Sequence, residues 1–289
     1  MKLNTRPLHP RFGVEILDID LRALNETELK AINALWIEHP VILIRNQLLD
    51  ETEQIHFSKQ FGEINIHVRT DIRSRSNPEV VLVSNLRLES GQHIGALASS
   101  EAKWHTDSCY KPKPDTGSIL YAIEVPEDGG KTAWANTQLA YDALSDELKF
   151  RISEMRGEFA YEIYSVDITE KPDVHSIRDL TPDVVHPMVL TQPGNGHKSL
   201  YLDPLQTYGI EGMVPAESRP FLDELVAHMT APEFVFQHKW RRGDIVLWDN
   251  CRVLHQREPF DPEMPRLMKR TTVFLPPDQY PVPYQPTSN

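Results

Sequence analysis

Short apolar runs punctuated by glycine, proline and charge make up most of the chain. Val41-Ile42-Leu43-Ile44 and Val80-Val81-Leu82-Val83 are continuous apolar tetrads, as expected of strands buried on both faces. Ser118 to Ile123, Phe234 to Trp240, Ile245 to Trp248 and Thr271 to Leu275 read as further strands, and Val14/Ile16 and Ile19/Leu21 alternate like small opening strands. His186 to Thr191 and Lys198 to Leu202 flank Pro193-Gly194-Asn195-Gly196, which predicts a hairpin. Helical spacing appears at Leu29, Ile32, Leu35 and Trp36 behind the capping pair Asn25 and Glu28, and again behind Asp50 and Glu53, with Ile55 and Phe61 inside. Pro40 stops the first of these helices and Gly62 the second. Asn136 or Thr137, then Ser145, cap two short helices; Leu222, Leu225, Val226 and Met229 mark a longer one.

Many short strands joined by Gly/Pro turns, with few helices, predict a mainly β fold with flanking helices, a sandwich or jelly roll. Residues 63–103 read as irregular apart from the second tetrad, with a small polar loop at 91–100. Residues 161–187 read as a surface insertion, and the prolines of 276–289 as an extended surface tail. Neither an internal repeat nor a linker interrupts the pattern, so 1–289 is expected to be a single domain.

Charge narrows the partners. With 30 Lys+Arg against 42 Asp+Glu the formal charge is −12, which argues against nucleic acid or an anionic membrane as partner. An anionic ligand would need a local basic cluster, and Arg69, Arg73 and Arg75 beside His67 form one. Cys109 and Cys251 fit neither a disulfide framework nor a zinc spacing, and read as reduced apolar fillers. The amino terminus lacks a signal peptide's apolar segment, and no run approaches a membrane span, so a cytoplasmic location is expected.

The chemistry concentrates in Trp104-His105-Thr106-Asp107. In an extended chain side chains i and i+2 share a face, so His105 and Asp107 can bind one metal ion. Far away, the apolar run from Leu247 ends in His255 and is followed by Arg266 and Arg270. Two histidines and one carboxylate match the facial triad of non-haem Fe(II) oxygenases, and a carboxylate at 107 leaves no position for a halide. Any single histidine is more often a satisfied core residue, and Arg266 could equally pair with Glu263 or Glu258 at the surface. Trp104, Trp240 and Trp248 are expected to pack the barrel, with a place in the pocket wall open to one of them as the lesser alternative.

In these motifs the chain resembles the taurine/dichlorophenoxyacetate dioxygenase (TauD/TfdA) family. The likeness runs in order from Gly13-Val14-Glu15-Ile16 and Asp18-Ile19-Asp20-Leu21-Arg22 through Phe61-Gly62-Glu63 and Trp104-His105-Thr106-Asp107. It continues to Gly129-Gly130-Lys131-Thr132, Trp248-Asp249-Asn250, His255 and Arg266. The resemblance implies a double-stranded β-helix with His105, Asp107 and His255 holding Fe(II) at its mouth. It implies 2-oxoglutarate and O2 as cosubstrates, with Arg266 and Thr132 on the distal carboxylate of 2-oxoglutarate and succinate and CO2 as coproducts. His67 and Arg270 match contacts to a substrate anion, and Glu101 stands where the taurine enzyme has an asparagine, which makes taurine itself a poor expectation. The implied substrate is a small organic anion: a carboxylate, sulfonate, sulfate or aryloxyalkanoate. The implied hydroxylation passes on to fragmentation where the oxidised carbon carries an ether oxygen, sulfonate or amine. The implied assembly is a homo-oligomer, dimer or tetramer. Two other readings stay open from the residues alone: a redox-silent zinc hydrolase at the same triad, and a non-catalytic binding module on the same barrel.

Overall fold

The computed structural model describes residues 2–95, 101–161 and 181–284. Among these, two β-sheets face each other and set the site between them. The larger sheet comprises β1 (Thr5–Pro7), β2 (Val14–Ile16), β3 (Val41–Ile44), β4 (Glu63–Ile64), β5 (Val81–Ser84), β7 (Gly117–Glu124), β15 (Ile245–Asp249) and β17 (Leu267–Phe274). Its order is β1-β2-β3-β15-β7-β17-β4, with β5 also paired to β17. The smaller sheet runs β14-β8-β16-β6, from β14 (Val235–His238), β8 (Thr132–Asn136), β16 (Val253–Arg257) and β6 (Ala102–His105). Strands β9 (Arg156–Phe159), β10 (Val184–Pro187) and β13 (Thr207–Ile210) form a third sheet, and β11 (Val189–Thr191) pairs with β12 (Lys198–Leu200) in the expected hairpin.

The alternation of side chains explains the layers. On β3, Ile42 and Ile44 face out, packing with Ile32 and Trp36 of helix α1 (Glu26–Glu38) and Phe57 of α2 (Glu51–Ser58). Val41 and Leu43 face in, meeting Trp134, Trp240, Trp248 and Met268 between the sheets. A strand covered on both faces has no polar side, hence the unbroken apolar tetrad. Helices α3 (Thr137–Asp142), α4 (Asp146–Ile152) and α5 (Pro215–Met229) cover the outside of the smaller sheet through Ala140, Leu144, Leu222 and Leu225. Both capping boxes form, Asn25 with Glu28 and Asp50 with Glu53. The architecture is the jelly roll, mainly β with flanking helices.

The structure departs from the sequence expectations in several places. Leu21 lies in a 3-10 turn, Leu21–Ala23, because Asp20 caps the Arg22 amide and bends the chain. The run Leu247 to His255 is two strands, β15 and β16, joined by a turn at 250–252. The buried polar groups of that turn satisfy one another, with the Cys251 amide and Arg252 Nε both donating to the Asp249 carboxylate. Of the expected insertion 161–187, residues 162–180 lie outside the described residues, and its end is β10, paired in register with β9. The tail is not merely surface: Tyr280 is fully buried, its ring 5.9 Å from Trp36 and its hydroxyl donating to Asn33 Oδ1 at 2.8 Å. Within the loop expected at 91–100, residues 96–100 are outside the described set.

Candidate active site

Strand pairing, not proximity in sequence, brings the two histidines together. His255 is the cross-strand partner of His105 in the β16–β6 ladder, and their rings lie 4.1 Å apart, centroid to centroid. Asp107 is not on a strand. The chain leaves β6 at His105 and turns through Ser108, whose φ of 61° is left-handed, so Asp107 reaches the histidines from a turn. The ligand atoms of His105, Asp107 and His255 all lie within 4.8 Å of one another, a separation one ion can bridge.

The surroundings prepare these groups to ligate. His105 Nδ1 lies 2.7 Å from the Lys103 carbonyl, to which an Nδ1–H can donate, so Nε2 is the nitrogen available to an ion. Burial, then the neighbouring His105, pushes the His255 pKa down to about 3, and its Nδ1 is buried without a partner. Burial alone would raise the Asp107 carboxyl. Arg270, His255 and His105 together with a hydrogen bond from Ser118 outweigh it and hold the group well below the usual carboxylate range. Asp107 Oδ1 accepts from Arg270 Nη1 at 3.0 Å and Oδ2 from Ser118 Oγ at 2.9 Å. Asn250 stands behind both: its Nδ2 donates to Ser118 Oγ at 3.0 Å, its Oδ1 accepts from Trp248 Nε1 at 2.7 Å, and its carbonyl accepts from Thr106 Oγ1 at 2.7 Å. Neutral imidazoles and an ionised carboxylate are what a divalent ion such as Fe(II) requires, so the donor set fits it.

A cavity of about 180 Å³ extends from the histidines along β16. His105, His255, Trp248, Thr132, Arg257, Arg266 and Arg270 line it. Arg266 is 1% exposed, its Nε and Nη1 have no partner, and the alternative surface pairing with Glu263 or Glu258 does not form; Glu258 instead faces Lys131 at 3.6 Å. Burial, then Arg257, lowers its pKa to about 9, so it stays cationic at neutral pH. Thr132 Oγ1 accepts from Trp240 Nε1 at 2.9 Å, which leaves the hydroxyl proton free to donate into the cavity. A buried guanidinium and hydroxyl without a carboxylate fit a bound carboxylate.

The substrate-side expectations divide. His67 is half-buried beside the site, its pKa lowered to about 4 by burial and then by Arg270, Lys111 and Arg69. Arg270 lines the cavity as expected, with its Nη1 on Asp107 and its Nε unpartnered. Glu101 does not line the cavity. It is exposed in a neighbouring groove of about 530 Å³ with Lys103, Trp104, Leu205 and Gln256. The cause is a bulge: His255 pairs with His105 but Arg257 with Ala102, and the irregularity leaves Glu101 beyond the strand end. In the basic cluster, Arg69 pairs with Asp71 and Arg73 donates to the His67 carbonyl. Sequence reasoning missed Ser118, Arg257 and Asp203. Arg257 was detectable, since it lies two residues after His255 on the same strand face.

The chain matches known proteins over nearly its whole length. The model of the family described as "Taurine catabolism dioxygenase TauD, TfdA family" matches residues 4–272. The chain is 34% identical over 289 residues to an alpha-ketoglutarate-dependent 2,4-dichlorophenoxyacetate dioxygenase of Cupriavidus pinatubonensis, covering 95% of this chain and 98% of that protein. It is 29% identical to an alpha-ketoglutarate-dependent sulfate ester dioxygenase of Pseudomonas putida, covering 94% of this chain and 90% of the relative. Among solved structures, AAD-2 in complex with Mn(II) and N-oxalylglycine superposes with a TM-score of 0.79 at 30% identity, covering 100% of both chains. A taurine dioxygenase from Burkholderia xenovorans gives 0.80 at 28% identity, covering 100% of this chain and 96% of that one.

Proposed function

The chain belongs to the TauD/TfdA family and is a dioxygenase dependent on Fe(II), 2-oxoglutarate and O2, and from that premise we propose the roles of its residues and its substrate class. His105, Asp107 and His255 hold the iron. Arg266 takes the distal carboxylate of 2-oxoglutarate as a planar two-pronged donor, and Thr132 adds its hydroxyl. Bound there, Fe(II) supplies activation of O2 coupled to decarboxylation of 2-oxoglutarate to succinate and CO2.

The protein contributes position and dryness. Trp248, 1% exposed with its ring 5.0 Å from His255, walls the site on the barrel side. Arg270, anchored by Nη1 on Asp107, keeps a buried, unpartnered Nε, with His67 beside it. That pair receives a small organic anion of the aryloxyalkanoate or sulfate ester class, which is hydroxylated and fragments where the new hydroxyl sits beside the ether or ester oxygen. Aryloxyalkanoates are the first choice, given the 34% identity to a dichlorophenoxyacetate dioxygenase. The observation that carries the reading is the buried, unpaired Arg266 in the same cavity as the triad. Zinc hydrolysis would have no use for it.

The chain is further proposed to be one domain and a cytoplasmic homo-oligomer, dimer or tetramer. No helix among the described residues is long and apolar enough to cross a membrane, and both cysteines are free and buried. Light scattering of the purified protein checks the assembly. The functional test is anaerobic: Fe(II) and then 2-oxoglutarate are added to metal-free protein, and the weak visible charge-transfer band of a chelated 2-oxo acid is followed. The band is expected in wild type, lost in His105→Ala, and shifted at least about 100-fold in 2-oxoglutarate concentration in Arg266→Ala, roughly 3 kcal/mol for hydrogen bonds to a charged group. A folded, iron-loaded wild type that never shows the band refutes the assignment; succinate release then screens the anions.

A further inference from the structure

Asp203, in the segment between β12 and β13, is 1% exposed. Burying a carboxylate is expensive unless its oxygens are well satisfied. Here the satisfying groups are backbone amides. Oδ1 accepts from Leu205 N at 2.7 Å and Gln206 N at 2.8 Å, which is an ordinary local turn. Oδ2 reaches 97 positions back along the chain to accept from Thr106 N at 2.7 Å.

Thr106 is the residue between His105 and Asp107. The amide that Asp203 receives belongs to the peptide plane leaving His105, so the bond fixes how that plane is turned and, with it, the direction in which the chain carries Asp107. The other polar handle of Thr106 is also taken, its hydroxyl donating to the Asn250 carbonyl at 2.7 Å. A second tie joins the same two segments, since the Cys109 thiol donates to Gln206 Oε1 at 2.9 Å. The turn that carries Asp107 off the end of β6, where His105 sits, is thus bolted from behind by one buried carboxylate.

We propose that Asp203 is a positioning residue for the metal centre, setting the relative orientation of His105 and Asp107 through the Thr106 amide. The inference rests on the assignment of those two residues as metal ligands. Asn at 203 has the same shape but one acceptor oxygen, so it must set its amide NH2 against either Thr106 N–H or the Leu205 and Gln206 amides.

The test is anaerobic titration of the metal-free protein with Co(II) alone, following its visible ligand-field spectrum. Asp203→Asn is expected to bind Co(II) about 10- to 100-fold more weakly, with an altered spectrum at saturation. Thr207→Val is the control. Asp203 N donates to Thr207 Oγ1 at 2.8 Å, so this change loosens the same turn and spares the carboxylate; wild-type affinity and spectrum are expected. Wild-type affinity and spectrum in Asp203→Asn, or an equal loss in Thr207→Val, overturns the proposal. Failure of the wild type to bind Co(II) overturns the ligand assignment, and the proposal with it. Should Asp203→Asn not fold, hydrogen exchange on the wild type decides: Co(II) must slow exchange in 104–109 and 203–206 together, and protection confined to 104–109 overturns the coupling.

Discussion

Replacing Arg252 by methionine should destabilise the protein by about 3–5 kcal/mol, the usual consequence of removing one partner of a buried ion pair. Arg252 is 1% exposed in the turn between the strands that carry Trp248 and His255. Its Nε meets Asp249 Oδ2 at 2.7 Å, Nη1 the Ile37 carbonyl at 2.8 Å, and Nη2 the Trp36 carbonyl at 2.6 Å. Those carbonyls belong to the last turn of α1, where intrahelical donors run out, so one side chain both neutralises Asp249 and caps the helix end. Methionine fills much of the volume, so the loss is electrostatic rather than a cavity. With an unfolding entropy of roughly 2.1 cal/mol/K per residue, 289 residues give roughly 0.6 kcal/mol/K, and the melting temperature should fall by about 5–8 °C. Urea unfolding of the metal-free protein measures it directly. The penalty should shrink as pH falls. Asp249 already has its pKa raised by burial; without Arg252 the folded variant takes up a proton more readily than the unfolded chain, and gains stability on acidification. Adding Asp249→Asn to Arg252→Met should recover part of the loss. A single variant within 1 kcal/mol of wild type, or a double variant no better than the sum of the two singles, refutes the reasoning.

Three further outcomes are expected. In the metal-free protein, His255 titrates at about 3 when folded against about 6.5 when unfolded, so its contribution is complete above pH 6.5 and is lost as pH falls from 6.5 toward 3; His255→Gln should flatten that part of the urea-unfolding profile. Trp240→Phe removes the donor to Thr132 Oγ1 and frees that hydroxyl to point elsewhere, so 2-oxoglutarate affinity should fall about 3- to 10-fold while Co(II) affinity stays put, both read by anaerobic titration. Gly62→Ala would place a Cβ 2.1 Å from the Phe274 carbonyl oxygen, a backbone clash that should cost about 1–3 kcal/mol in thermal or urea unfolding despite its distance from the chemistry.

What could be read from sequence followed locality. The capping boxes, the tetrad Val41–Ile44 and the 193–196 hairpin are set within a few residues, and the chain shows them openly. His105, Asp107 and His255 could be singled out because their residue types are informative and the motifs around them resemble a family. The turn that holds Asp107, the bulge that moves Glu101 out, and the division of 247–255 into two strands depend on side chains that satisfy one another across the fold. Asp203 was invisible for the same reason. A Leu-Asp-Pro sequence reads as an ordinary turn, and only the fold brings its carboxylate to Thr106.

The pairing of His105 with His255 also has a meaning in time. During synthesis His105 and Asp107, the first two of the proposed ligands, emerge together, and His255 follows about 150 residues later; at roughly 5–20 residues per second that is on the order of ten to thirty seconds. β16 then enters between β8 and β6, both already made, and closes the middle of the smaller sheet. A nascent chain that stops before β16 lacks His255, the third of the proposed ligands. The strand that sets His255 beside His105 is thus also the one that joins β8 to β6 in the smaller sheet.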